Sequence, residues 1–104
     1  MNTEINLDGL TGNGRVHNLT GKDRGLSGRT LFKMDELDAS DTMVNVIIPE
    51  HLDNMSTSYF LGMFSKSIKS LGVEKFRAKY LFNSTKPVII KQIEHGIKLS
   101  ITLG

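Results

Sequence analysis

The stretch from Met43 to Gly72, MVNVIIPEHLDNMSTSYFLGMFSKSIKSLG, does most to limit what this chain can become. Val44, Val46, Ile47 and Ile48 form a β-branched apolar run closed by Pro49, the pattern of a strand inside a sheet. Asp53 and Asn54 signal a turn. Ser56, Thr57 and Ser58 follow, and their side-chain oxygens suit a helix start, where the first backbone N–H groups have no partner within the helix. Phe60, Leu61, Phe64, Ile68 and Leu71 recur at spacings of three and four and so share one helix face, with Lys66, Lys69 and Ser70 on the others. Gly72 stands where a left-handed helix end is cheapest. A strand, a polar turn and an amphipathic helix in this order put the hydroxyls at a helix N-terminus beside the C-terminal end of a strand. Open α/β sheets place their binding sites there.

The remaining segments fill out an α/β reading. Thr3–Leu7 alternates as a strand does, and Arg15–Leu19 reads as a second short strand. Gly9, Gly12, Gly14, Gly21, Gly25 and Gly28 mark residues 1–27 as a Gly-rich hairpin region ahead of an alternating helix and strand core over 28–104. Ser27 is placed as the N-cap of a helix over about 28–39, with Leu31, Met34 and Leu37 on its apolar face. That helix ends in Asp35, Glu36, Asp38 and Asp41, read as a solvated face. Lys75–Phe82 alternates, with Phe76, Ala78, Tyr80 and Phe82 on one side and Lys75, Arg77 and Lys79 on the other, the pattern of a strand with a basic face. Pro87 opens a further helix carrying Ile90, Ile93 and Ile97. Beyond Gly96 two readings stand: the helix continues, or Ile97–Leu103 alternates as a final strand.

With 104 residues the chain is expected to form a single domain, 1–104. No apolar run is long enough to span a membrane. The opening MNTEINLDGL is neither basic nor apolar enough for a signal peptide, which favours the cytoplasm. The absence of cysteine excludes disulfides and thiolate metal sites. A net charge of +2 is too mild to argue for nucleic acid by itself.

Catalytic chemistry finds little support. His17, His51 and His95 are isolated, without the spacing of a metal site, and no nucleophile elbow occurs. Ser58 with His51 and Asp53 makes a poor triad, because both partners sit in the turn just before the serine. Gly12–Arg15 with Lys22 and Arg24 offers a phosphate cradle, but it lacks the ending of a P-loop, so tight turns with solvated cations are the better reading. Arg15, Lys22, Arg24 and Arg77 remain the candidate anion-binding residues. No cofactor motif is found, so no cofactor or metal is expected, and the chain reads as a binding module rather than an enzyme.

The run Asn54–Phe60, with Ser56, Thr57 and Ser58 at its centre, resembles the serine-rich helix opening of the STAS-like family, relatives of the STAS domains of sulfate transporters and anti-sigma-factor antagonists. Gly25–Phe32 resembles that family's Ser-Gly element ahead of its first helix. The likeness covers roughly residues 12–98, the extent of one small domain. Leu61 and Gly62 stand where the family often has acidic residues. The resemblance implies a mixed sheet of four or five strands with about three helices packed against it. It also implies a regulatory partner-switching role, in which the domain binds a protein partner such as a histidine-kinase-like ATPase and phosphorylation at Ser56, Thr57 or Ser58 controls the contact. Asp53, Asn54 and Tyr59 would then belong to the partner surface. Exposed sheet edges leave room for a homodimer. Two other readings are kept: a constitutive protein-binding inhibitor from a mobile element, and a nucleic-acid-binding module that uses the basic strand face.

Overall fold

A computed structural model describes residues 2–7, 17–84 and 86–103. Its central sheet has the order β1 (Asn2–Asn6), β3 (Met43–Ile47), β5 (Tyr80–Asn83), and both pairings are parallel. A second, two-stranded parallel sheet joins β2 (Asn18–Leu19) to β4 (Asn54–Met55). Five helices complete the described chain: α1 (Lys22–Leu31), α2 (Met34–Ala39), α3 (Thr57–Leu71), α4 (Val73–Lys79) and α5 (Pro87–Leu103). The α/β class expected from the sequence is what the chain adopts. The strands differ from the expected single mixed sheet. Pro49 and the turn to Leu52 carry the chain away from β3, so Asn54–Met55 pairs with Asn18–Leu19 instead of extending the main sheet.

β3 lies in the middle of the main sheet, in keeping with its β-branched run; Val44 and Val46 are fully buried. α3 is the hub of the helices and packs against each of the other four. Its apolar stripe buries Phe60, Met63, Phe64 and Ile68. Phe64 sits among four other rings, with centroids 5.0 Å from Phe60, 5.1 Å from Phe82 and 6.0 Å from both Phe76 and Tyr80. Several of these contacts are edge-on, the arrangement that aromatic quadrupoles favour.

Four expectations need correction. The helix expected over 28–39 is two helices. α1 begins at Lys22, so Ser27 lies inside it, and Lys33, at φ 53°, breaks the chain before α2. The glycines taken for a hairpin region are partly helical and serve packing. A Cβ on Gly25 would stand 2.3 Å from the carbonyl oxygen of Tyr59, and one on Gly62 would stand 2.3 Å from that of Lys22. Only glycine lets the α1 and α3 backbones approach so closely. Next, Lys75–Lys79 is not a basic strand. Gly72, at φ 83°, ends α3 and starts α4, and β5 begins only at Tyr80. Phe76 and Tyr80 are buried four residues apart and Ala78 is exposed, so over 75–79 the alternation was incidental, whereas Tyr80 and Phe82 keep it within β5. Last, β2 is not an arm of a hairpin: it pairs in parallel with β4. Most of the Arg15–Leu19 strand's supposed partner region, with Gly9, Gly12 and Gly14, lies outside the described residues.

The choice left open at the C-terminus falls to the helix. Ile89, Ile93, Ile97 and Ser100 are buried at helical spacing, while Ile101 is exposed. Gly96 does not interrupt α5. A Cβ there would lie 2.2 Å from the Phe60 ring, so its absence lets α5 close on α3. Among the described residues no helix is long and apolar enough to cross a membrane.

Candidate functional site

The N-terminal end of α3 is built from the turn that precedes it. The backbone N–H of Asp53 donates to His17 O at 2.8 Å, and that of Ser56 donates to Leu19 O at 2.9 Å, which ties the turn to β2. Ser56 is the N-cap: its Oγ accepts from the Tyr59 N–H at 3.1 Å, as its sequence position implied. Ser56 Oγ and Ser58 Oγ lie 3.2 Å apart. Thr57 is half-buried and Ser58 is exposed in the first turn. That turn contains no acidic residue, so the positive end of the helix dipole is not offset by a side chain of its own first turn.

The residues around this end are unequal in availability. Asp53 is exposed and accepts from Lys86 Nζ at 2.9 Å, a bond that holds its carboxyl below the usual carboxylate range. His17 Nδ1 is 3.6 Å from the same carboxyl group. Asn54 is half-buried, its Oδ1 accepting from Gln92 Nε2 at 2.6 Å while the Met55 N–H donates to Gln92 Oε1 at 2.8 Å. Gln92 of α5 therefore braces the turn, a role with no sequence signal. Tyr59, expected on a partner surface, is only 1% exposed, because it falls on the buried side of the first α3 turn.

The four candidate anion-binding residues do not converge. Arg15 lies outside the described residues. Lys22 and Arg24 are exposed on α1, but residues two apart on a helix point in different directions. Arg77 is on α4 and makes a two-bond pair with Glu94 of α5, at 2.9 and 2.7 Å. Lys79 donates to the carbonyls of Ser40 and Thr42, at 2.6 and 2.7 Å. Of the three cations expected on a basic strand face, Arg77 and Lys79 thus have partners within the protein. Among the described residues no group of three or more His, Asp or Glu side chains is arranged to hold a metal ion.

Two features escaped the sequence reading. One is a buried polar hub. Arg29 of α1, 7% exposed, reaches Asp38 of α2, 8% exposed, at 2.5 Å, Asp35 at 2.8 Å, and Ser67 Oγ and Met63 O of α3 at 2.7 and 3.0 Å. Asp38 also accepts from Ser67 Oγ at 2.8 Å and from the Tyr80 hydroxyl at 2.5 Å. Burial opposes the Arg29 charge, but its bonds to Asp35 and Asp38 outweigh that and raise the guanidinium above its ordinary range. The acidic end of α2 is therefore an anchor for α1 and α3, not a merely solvated face.

The other feature is a cavity of about 390 Å³ between α1, β2 and the start of α3, lined by Asn18, Leu19, Arg24, Ser27, Gly28, Leu31 and Tyr59. Tyr59 borders this cavity with other atoms; its hydroxyl is inaccessible to water and has no hydrogen-bond partner. Burial pushes its pKa up to about 12. Glycines at positions 25, 28 and 62 were the available sequence signal for the helix contact beside this cavity. No family model, no curated protein and no solved structure matches this chain.

Proposed function

We propose that the chain is a small regulatory protein-binding module of the cytoplasm, without catalytic activity, whose contact with a protein partner is controlled at Ser58. The observation that carries this reading is the exposure of Ser58 in the first turn of a 15-residue helix whose cap is supplied by Ser56. The three hydroxyls thereby separate into roles: Ser56 caps, Thr57 is half-buried, and Ser58 is open to modification. A phosphate on Ser58 would bring nearly two negative charges to the positive end of the α3 dipole, where they are stabilised, and would change the charge of any surface docked beside Asp53 and Asn54. The resemblance of Asn54–Phe60 to the serine run of STAS-like domains supports the same reading and points to an ATPase-type kinase as partner.

The test is affinity capture from the native host with wild-type protein and with Ser58→Glu, together with mapping of phosphate on the recovered bait. A kinase-like partner held by the wild type and released by Ser58→Glu is expected. The same partner on both baits, with Ser58 unmodified, would instead favour a constitutive binder or inhibitor.

A further inference from the structure

The outward side of α5 carries a pattern that the core does not explain. Ile89, Ile93 and Ile97 already supply the side that packs inward, yet Ile90 is 46% exposed and Ile101 is 56% exposed. These two lie eleven residues apart, about three helical turns, so they stand on one line along the helix. Glu94 and Lys98 lie between them, both exposed, and all four fall within about a quarter of the helix circumference. A Glu and a Lys four apart could pair along the helix, but Glu94 is bonded to Arg77 at 2.9 and 2.7 Å, and the Lys98 ammonium has no partner among the described residues. From Ile90 the apolar surface continues across a shallow groove to Leu81 of β5, an edge strand of the main sheet.

We propose that this face binds a second copy of the chain, α5 packing antiparallel on α5 about a two-fold axis level with Gly96. The observation that selects this occupant is the order of the four residues. Ile90, Glu94, Lys98 and Ile101 run apolar, negative, positive, apolar, which is complementary to its own reverse. A two-fold interface demands that property, because the same patch must fit itself. Antiparallel pairing sets Ile90 against Ile101 of the second copy, and Glu94 against Lys98 of the second copy, twice over. Arg77 stays on Glu94, whose carboxylate has oxygen lone pairs left for a lysine. Arg77 also holds the Glu94 side chain in place, so less conformational freedom is lost on docking. One helix face buries less than the roughly 800 Å² per partner of a standard interface, so the dimer is weak and depends on concentration.

The experiment is sedimentation equilibrium of the full chain from about 10 μM to about 1 mM, with circular dichroism to verify that each variant is folded. A monomer–dimer equilibrium is expected. Glu94→Lys and Lys98→Glu each place like charges opposite one another and should each weaken the dimer about 10-fold or more. Lys98→Glu leaves the Arg77–Glu94 pair intact, so its effect reads the interface alone. Mixed in equal amounts, the two variants restore both opposite-charge contacts and should associate about as tightly as the wild type. A monomer at every concentration would overturn the assignment. So would a dimer unmoved by both substitutions, or a mixture no tighter than either variant by itself. None of these outcomes depends on Ser58, so this proposal and the partner-switching reading fail separately.

Discussion

Tyr80 and Tyr59 are the chain's only tyrosines, and each is 1% exposed. Tyr80 stands at the polar hub, where its hydroxyl donates to Asp38 at 2.5 Å and where burial and that bond both raise its pKa. Tyr59 stands at the cavity, with its hydroxyl unpartnered. Both regions lie along the same α1–α3 contact. At one, every side chain meets a partner: Arg29, Asp38, Ser67 and Tyr80 close a network that joins α1, α2, α3 and β5. At the other, the Arg24 side chain and the Tyr59 hydroxyl have none among the described residues. The contrast separates a buried hydroxyl that ties the fold together from one that makes no bond.

The sharpest way to break the comparison is to remove Arg29. Arg29→Ala leaves Asp38 buried without its cation and is expected to cost about 3–5 kcal/mol, read as a lower urea midpoint. Arg24→Ala, at the cavity, should change stability by no more than about 0.5 kcal/mol. If the two substitutions have similar effects, the hub is not the fold's anchor.

The shared contact comes next. Gly62→Ala drives a methyl group against the Lys22 carbonyl, which is backbone and has little room to yield, so a loss of about 1–3 kcal/mol is expected in the same unfolding assay. An alanine tolerated at no cost would mean that the helices are not held this closely in solution.

Alkali probes both tyrosines together. Their folded pKa values are raised above the ordinary 10.0, that of Tyr59 to about 12. The unfolded chain therefore gives up these protons first. The stability they contribute is complete below about pH 10 and is lost as pH rises toward 12 and beyond. Tyrosinate absorbance should rise together with the loss of helical circular dichroism. A tyrosinate signal from the intact fold near pH 10 would place at least one ring in water.

Much of this architecture was legible in the sequence. The β3 strand, the Ser56 cap, the α3 stripe and the Pro87 start of α5 all follow from local chemistry: β-branching, side-chain capping, period and a fixed φ. What was not legible depended on tertiary contact. Gly25, Gly28 and Gly62 look like turn residues until two helices are seen to touch, and Gly96 looks like a break until Phe60 lies beneath it. The alternation over 75–79 was incidental, because Lys75, Arg77 and Lys79 happened to fall between apolar residues of a helix; over 80–83 it marked a true strand, with Tyr80 and Phe82 toward the core. Of the candidate residues, Ser56, Ser58 and Asp53 were legible as polar positions at the start of α3. Tyr59 was not, because a first-turn aromatic can face either way and only the packing of α1 decides it.

The most direct test of the contrast compares Tyr80→Phe with Tyr59→Phe by denaturant unfolding. Tyr80→Phe deprives Asp38 of a charge-assisted bond and should cost about 1.5–3 kcal/mol. Tyr59→Phe removes a hydroxyl that has no partner, and stability should hold or rise slightly. Equal losses at the two positions would contradict the account, since they would show that the Tyr59 hydroxyl is as fully engaged in the fold as that of Tyr80.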